Sequence, residues 1–145
     1  MSDVLTKEQW ITFEINNEVY VQPIDAIREI VPYREASEVP GAPAEVEGIV
    51  NIRGDVISVI NGRRLLGINT PHNYDESARI IIIEQQTNLI GFSVDNVSEI
   101  VGFNKDQIEY NASDSGLIKG TVNLPQGLFI VADLCEYQNK QDTHE

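Results

Sequence analysis

Two histidines, one cysteine and a scatter of loop carboxylates are the side chains here that could do acid–base, nucleophilic or metal chemistry. His72 stands in the polar stretch GINTPHNYDES and His144 in the tail, and neither has a serine or cysteine beside it to activate. Cys135 follows Leu134 in a short helical stretch and reads as a small core residue, with no second cysteine for a disulfide or redox pair. Asp75, Glu76 and Asp114 are loop acids without the converging spacing of a metal site, and no glycine-rich phosphate loop is present. Catalysis, a cofactor and a metal are therefore not expected. What remains is recognition, and one stretch stands out for it, Gly48 to Leu66, GIVNIRGDVISVINGRRLL. Its Arg53-Gly54-Asp55 is an adhesion ligand in exported proteins. It also fits a tight turn in which Gly54 supplies a positive φ.

The charge balance narrows the partners. Ten Lys+Arg stand against 23 Asp+Glu, a formal net charge of −13 on 145 residues. Such a surface repels phosphate backbones and anionic lipid, so neither nucleic acid nor direct membrane insertion is expected. A basic or mixed protein surface is compatible with it. At 41% hydrophobic and 23% charged, the composition is that of ordinary globular material, and the length suits one domain. A single cysteine fits a reducing compartment, and MSDVLTKEQW lacks the basic and apolar regions of a signal peptide. The longest apolar run, Ile80 to Ile83, is far short of the ~20 residues a spanning helix needs. A cytoplasmic location is expected, which removes the adhesion reading.

The elements that would position a recognition surface are short strands. Trp10 to Ile15 alternates with Ile11, Phe13 and Ile15 on one face, and returns through Asn16-Asn17-Glu18 as Val19 to Gln22. Asp25 is expected to cap a turn leading into Ile27 to Val31, and Pro32, Pro40 and Pro43 mark an irregular connection. Val46 to Ile52 and Val56 to Ile60 flank Arg53-Gly54-Asp55, and a short helix fits Arg63 to Leu66. Gly67 to Ser77 reads as a boundary between halves. Arg79 to Glu84 and Leu89 to Val94 form a further hairpin, Tyr110 to Gly116 is a loop, and Leu117 to Leu124 pairs with Leu128 to Val131 around Pro125-Gln126-Gly127. Asp133 to Gln138 closes as a short helix before NKQDTHE. Many short strands with little helix read as small barrels or a sandwich.

The two halves echo each other. DAIREIV from Asp25 matches DNVSEIV from Asp95, 70 residues on, and GIVNIRGDVISVINGRRL from Gly48 matches GTVNLPQGLFIVADLCEY from Gly120, 72 residues on. Two related β units fused tightly are the reading. The echo also serves as a control. Asn61 stands where the second copy has Asp133, and both are good N-caps. Arg53-Gly54 stands where the second copy has Pro125-Gln126, and no turn geometry demands the arginine. Glu29 and its echo Glu99 suggest a shared structural role such as pairing or capping.

These residues resemble the CheW-like family, the coupling proteins of bacterial chemotaxis. The resemblance rests on WITFEINNEVYVQPIDAIREIV, VPGAPAEVEGIVNIRGDVISVI, GFSVDNVSEIVGF and GLFIVADL, in order from Trp10 to about Leu134, with Gly48 to Gly54 matching position for position. It implies an all-β fold of two tightly packed five-stranded SH3-like β-barrels with short helices. The whole chain, 1–145, would be a single CheW-like domain, with a first barrel over about 10–67 and a second over about 78–134. The N-terminal strand and C-terminal helix would pack across the halves.

The function implied is a non-catalytic adaptor between the cytoplasmic tip of a methyl-accepting chemoreceptor and the regulatory domain of the histidine kinase CheA, at receptor arrays on the inner membrane. Receptor contact would fall on Ile27, Glu29 and Ile30, with Gly48, Asn51, Arg53 and Gly54 beside them and Asp95 and Val97 flanking a groove. Ile27 and Ile30 also invite a plain core reading for one of the pair. Ser58, Asn61 and Gly62 depart from the family's Pro and Asp-Leu, and are expected to loosen the short helix. A CheW-like scaffold of a parallel pathway, pili-linked or other, is the alternative; a small β-barrel ligand-binding protein is a reading from another class.

Overall fold

In a computed structural model of the chain, residues 7–68, 72–111 and 116–137 are described; His144, Asp114, Gln138 and the tail beyond it lie outside them. The strands are β1 (Glu8–Ile15), β2 (Glu18–Pro23), β3 (Ile27–Pro32), β4 (Val46–Ile52), β5 (Asp55–Asn61), β6 (Arg79–Gln85), β7 (Asn88–Val94), β8 (Asn96–Phe103), β9 (Glu109–Tyr110), β10 (Ile118–Leu124) and β11 (Gly127–Ala132). One short helix, α1 (Gly62–Leu65), follows β5, and 3-10 turns lie at Ile24–Ala26, Lys105–Gln107 and Leu134–Glu136. The chain is all-β, in two sheets ordered β8-β1-β2-β11-β10-β9 and β3-β6-β7-β5-β4. The first therefore has six strands rather than five, its sixth the two-residue β9. Among the described residues no ladder closes either sheet, but the two edges of each are neighbours along the chain. β8 runs into β9 through one 3-10 turn, and the segment after β3 returns to β4, where Ser37 bridges Ile49.

The sheets do not follow the division of the chain at 10–67 and 78–134. Hairpin β1–β2 lies in the first sheet between β8 and β11, and hairpin β6–β7 lies in the second between β3 and β5. Each half thus lends its opening hairpin to the other's sheet. The register makes the exchange reciprocal: Phe13 faces Val97 where Ile83 faces Ile27, and Ile11 faces Ile100 where Ile81 faces Ile30. The parallel joins match too, Tyr20 to Ile130 in one sheet and Ser58 to Ile90 in the other. Strand β8 is the element that the periodicity does not mark, although its echo of Ile27 to Val31 points to it.

Three apolar clusters follow from period-two burial. Phe13, Ile15, Tyr20, Ile60, Ile81, Ile83, Phe92, Val94 and Leu134 share a central cluster between the sheets. Trp10, Val21, Val101, Phe103, Val122, Phe129 and Val131 fill the other face of the first sheet, and Val31, Val50, Ile57, Val59, Ile80 and Ile82 that of the second. The Ile80 to Ile83 run is fully buried because alternate residues serve two different cores, each side chain contributing roughly 1.5–3 kcal/mol. Trp10 stacks on Phe103 at 4.4 Å and donates its indole N–H to the Phe103 carbonyl at 3.2 Å.

The C-terminal 3-10 turn is held by both sheets. Buried Gln22 on β2 accepts from Leu134 N at 2.7 Å, while Gln85 on β6 donates to the carbonyls of Cys135 and Tyr137 at 2.9 and 2.7 Å. Asp133 caps this turn through Cys135 N, and its echo Asn61 caps α1 through Arg64 N at 3.0 Å. The departure at Asn61 thus leaves the cap intact. Gly62 is required by space, since a Cβ there would lie 2.4 Å from the Ser93 carbonyl oxygen. Asp25 makes no cap: it sits inside the Ile24–Ala26 turn, whose N-cap position is Pro23.

Gly48 and Gly120 stand at matching bulges where a crossing segment comes too close for a side chain. A Cβ would meet Ser37 O at 2.2 Å in the first copy and Glu109 O at 2.1 Å in the second. Gly48→Ala, which would drive a Cβ into backbone, is expected to cost about 3 kcal/mol or more in urea unfolding, whereas Gly54→Ala, with open space but φ +88°, costs only about 1–2 kcal/mol. Equal losses at the two positions would mean that the close approach does not control the fold.

Candidate partner-binding surface

Strand β3 carries the first group of expected contacts. Isoleucines three apart in a regular strand face opposite ways, but a register shift between Ile27 and Glu29 adds one residue and turns both to the same side. Ile27 and Ile30 are half-buried against the central cluster, and so is Val97 on β8. All three rim the seam, and neither isoleucine is simply core. Ile100, the echo of Ile30, is 51% exposed on β8. Sequence reasoning missed it as a surface residue, though the repeat carried the signal.

The second group lies in the β4–β5 turn. Arg53 and Gly54 both have positive φ, +51° and +88°, the pattern of a two-residue hairpin turn that favours Asn-Gly. Asn51 Oδ1 accepts from Gly54 N at 3.1 Å, and the Asn51 carbonyl accepts from Arg34 at 3.0 Å. An arginine in the left-handed region costs about 1–2 kcal/mol, so the turn does more than fail to demand Arg53; it disfavours it. The guanidinium ion-pairs with Glu29 on β3, the opposite edge strand of the same sheet. The Arg53 side chain is 68% exposed and Glu29 29%. Glu99 has no such role. It is exposed, its backbone N–H donates to Thr12 Oγ1, and Pro125 stands where an arginine would pair with it.

Two expected residues are placed elsewhere. Gly48 is buried beneath the Ala36–Ser37 segment and offers no side chain. Asp95 sits at the β1–β2 turn, where one carboxylate oxygen accepts from Asn16 N and from Arg63 Nη1, both at 2.9 Å. Arg63 also donates to Asn16 Oδ1 at 3.2 Å, and His72 Nε2 stands 3.4 Å from the second Asp95 oxygen. This cluster clamps β1–β2, α1 and the inter-half connection. No sequence signal marks buried Arg63.

A third polar group surrounds Glu47, which the sequence also leaves unmarked. Its carboxylate accepts from Tyr33 OH, Ser93 Oγ at 3.1 Å and Asn61 Nδ2 at 3.4 Å, and Ser93 Oγ lies 2.9 Å from Tyr74 OH. Burial, then the bond to Glu47, pushes the Tyr33 hydroxyl well above its usual range; burial also raises Tyr74. Both therefore remain phenols at neutral pH. Burial likewise raises the Cys135 thiol, which disfavours the thiolate. Among the described residues no group of His, Cys, Asp and Glu could hold a metal ion, and no helix is long and apolar enough to cross a membrane.

The two ion pairs differ sharply in burial, and stability tests should separate them. Asp95→Ala strands buried Arg63 and is expected to cost on the order of 3 kcal/mol in urea unfolding. Arg53→Ala removes an exposed pair, so the change stays within about 1 kcal/mol. A loss at Arg53 as large as that at Asp95 would make Arg53 a structural residue.

Comparison with known proteins agrees with this fold. The family model described as CheW-like domain matches residues 9–137. A chemotaxis protein CheW of Thermotoga maritima is 30% identical over 92% of this chain and 89% of its own. One from Bacillus subtilis is 28% identical, over 83% and 75% respectively. The crystal structure of scaffolding protein TtCheW from Thermoanaerobacter tengcongensis superposes with a TM-score of 0.78 at 26% identity, covering 88% of this chain and 90% of that one. Matched by that family model over nearly its whole length, this chain belongs to the CheW-like domain family.

Proposed function

We propose that the chain is a non-catalytic chemotaxis scaffold that joins a chemoreceptor's cytoplasmic tip to the regulatory domain of the histidine kinase CheA. It acts in the cytoplasm, at receptor arrays on the inner membrane. Support comes from family membership and from relatives named as chemotaxis and scaffolding proteins. The observation that carries the choice of surface is Arg53, kept in a disfavoured backbone conformation that glycine would adopt freely, with its charge presented beside Glu29. Structural need alone does not retain such a residue, since the matching turn does without it.

The receptor tip, an amphipathic helix, lies along the seam in a helix-in-groove mode. Ile27, Ile30 and Val97 offer its apolar anchors, and Glu29, Asn51, Arg53 and Gly54 form the polar rim. Gly48 and Asp95 hold this surface in shape from beneath without touching the partner.

Mixing the chain with the kinase regulatory domain and a receptor-tip fragment should give a ternary complex on gel filtration. Failure of both to bind at micromolar concentration would sink the adaptor reading. Within that complex, Arg53→Gly relieves the turn strain and should leave the melting temperature unchanged or slightly higher. It should weaken receptor-tip binding about tenfold, as removal of an interface arginine does, without altering affinity for the kinase domain. Unchanged receptor affinity would move the receptor site away from this turn.

A further inference from the structure

We propose that the cleft between the connection after β3 and Tyr74 is a binding site for an organic cation, an alkylammonium or guanidinium group. The inference does not depend on the adaptor reading. The cleft has a volume of about 640 Å³, and Tyr33, Tyr74, Glu35, Glu38 and Glu47 line it. That is the size range of small-ligand sites.

Three observations converge on a cation. First, half-buried Glu47 accepts three hydrogen bonds, all from neutral donors, and makes no ion pair among the described residues. Neutral donors fix a carboxylate in place but leave its net charge uncompensated. Second, Tyr33 and Tyr74 pack with ring centroids 4.3 Å apart, and His72 meets Tyr74 edge-on at 5.2 Å. Both tyrosines line the cleft, and the aromatic quadrupole attracts a cation to a ring's π face rather than to its edge. Third, among the described residues Arg64 is the one lysine or arginine lining the cleft, and it is turned to the Ala44 carbonyl at 3.2 Å. Three carboxylates against one tethered guanidinium leave the cleft acidic.

The repeat provides an internal control. Shifted by 72 residues, Tyr33, Ala36, Glu38, Glu47 and Asn61 become Lys105, Ile108, Tyr110, Lys119 and Asp133, and these five line a cleft of about 250 Å³ on the first sheet. The shared backbone therefore does not require an acidic cavity at this place. Glu47 stands where its counterpart is a lysine, so the sign of the site is a property of this copy alone.

Agmatine and the blocked peptide acetyl-Gly-Gly-Arg-Gly-Gly-amide supply the cation in free and side-chain form. Each would be titrated into the isotopically labelled full chain at about 150 mM salt, where long-range surface attraction is screened. Saturable amide shifts confined to the segments around Tyr33, Glu47 and Tyr74 are expected. Saturation by agmatine alone marks a small-molecule ligand, and tighter binding of the peptide marks a partner's side chain. Glu47→Gln should lower affinity about tenfold, in keeping with loss of the half-buried charge. Glu35→Gln with Glu38→Gln, at the exposed rim, should lower it without disturbing the fold, and Lys119→Glu should have no effect. Shifts that fail to saturate, an equal response to the same peptide carrying neutral citrulline for arginine, or binding indifferent to both sets of carboxamide variants would overturn the proposal.

Discussion

The exchange of hairpins between the two halves is the constraint from which the rest of the structure follows. Strand β1 gives Trp10 to the core of one sheet and Phe13 and Ile15 to the cluster between the sheets, and β6 divides its isoleucines likewise. Neither half can bury its own strands, because the strand that covers each belongs to the other. A chain of this length forms a core only by burying most of its apolar surface, and here that requires both units at once. The rim of the seam is consequently a composite, with Ile27 and Ile30 on one sheet's edge strand and Val97 on the other's.

Buried polar groups then specify how the two sheets meet. Apolar contact is nondirectional, and two stacked sheets could slide over one another at small cost. Gln22 and Gln85 grip the C-terminal turn from opposite sheets, and Arg63, Asp95 and Asn16 lock the β1–β2 turn to α1. Such networks stabilise little by themselves when desolvation is counted. Their effect is to penalise every arrangement in which a buried charge or amide loses its partner.

Symmetry of the backbone and asymmetry of the side chains divide the labour. Bulges, close glycine contacts and helix caps recur in both copies at the same spacing, so these are what the repeated unit needs to fold. Arg53 against Pro125, and Glu47 against Lys119, have no such explanation. Function is most economically sought where the copies disagree.

The strand pattern apart from β8 and β9, the repeat, the caps at Asn61 and Asp133 and the family were legible from residue order, because alternation, turn chemistry and capping act over a few residues. Arg53 was legible as an unexplained residue, since its second copy was available for comparison. Tertiary structure decided what short-range signals do not carry. Period-two alternation states that a residue is buried but not against which strand, so the hairpin exchange stayed hidden. One bulge at Arg28 changed which way Ile30 faces. Asp95, legible only as an echo of Asp25, acquired its role from Arg63 and Asn16, residues 32 and 79 positions away that only folding brings to it. The cleft around Glu47 arises the same way, from strands and connections of both halves whose side chains have no relation until the sheets are assembled.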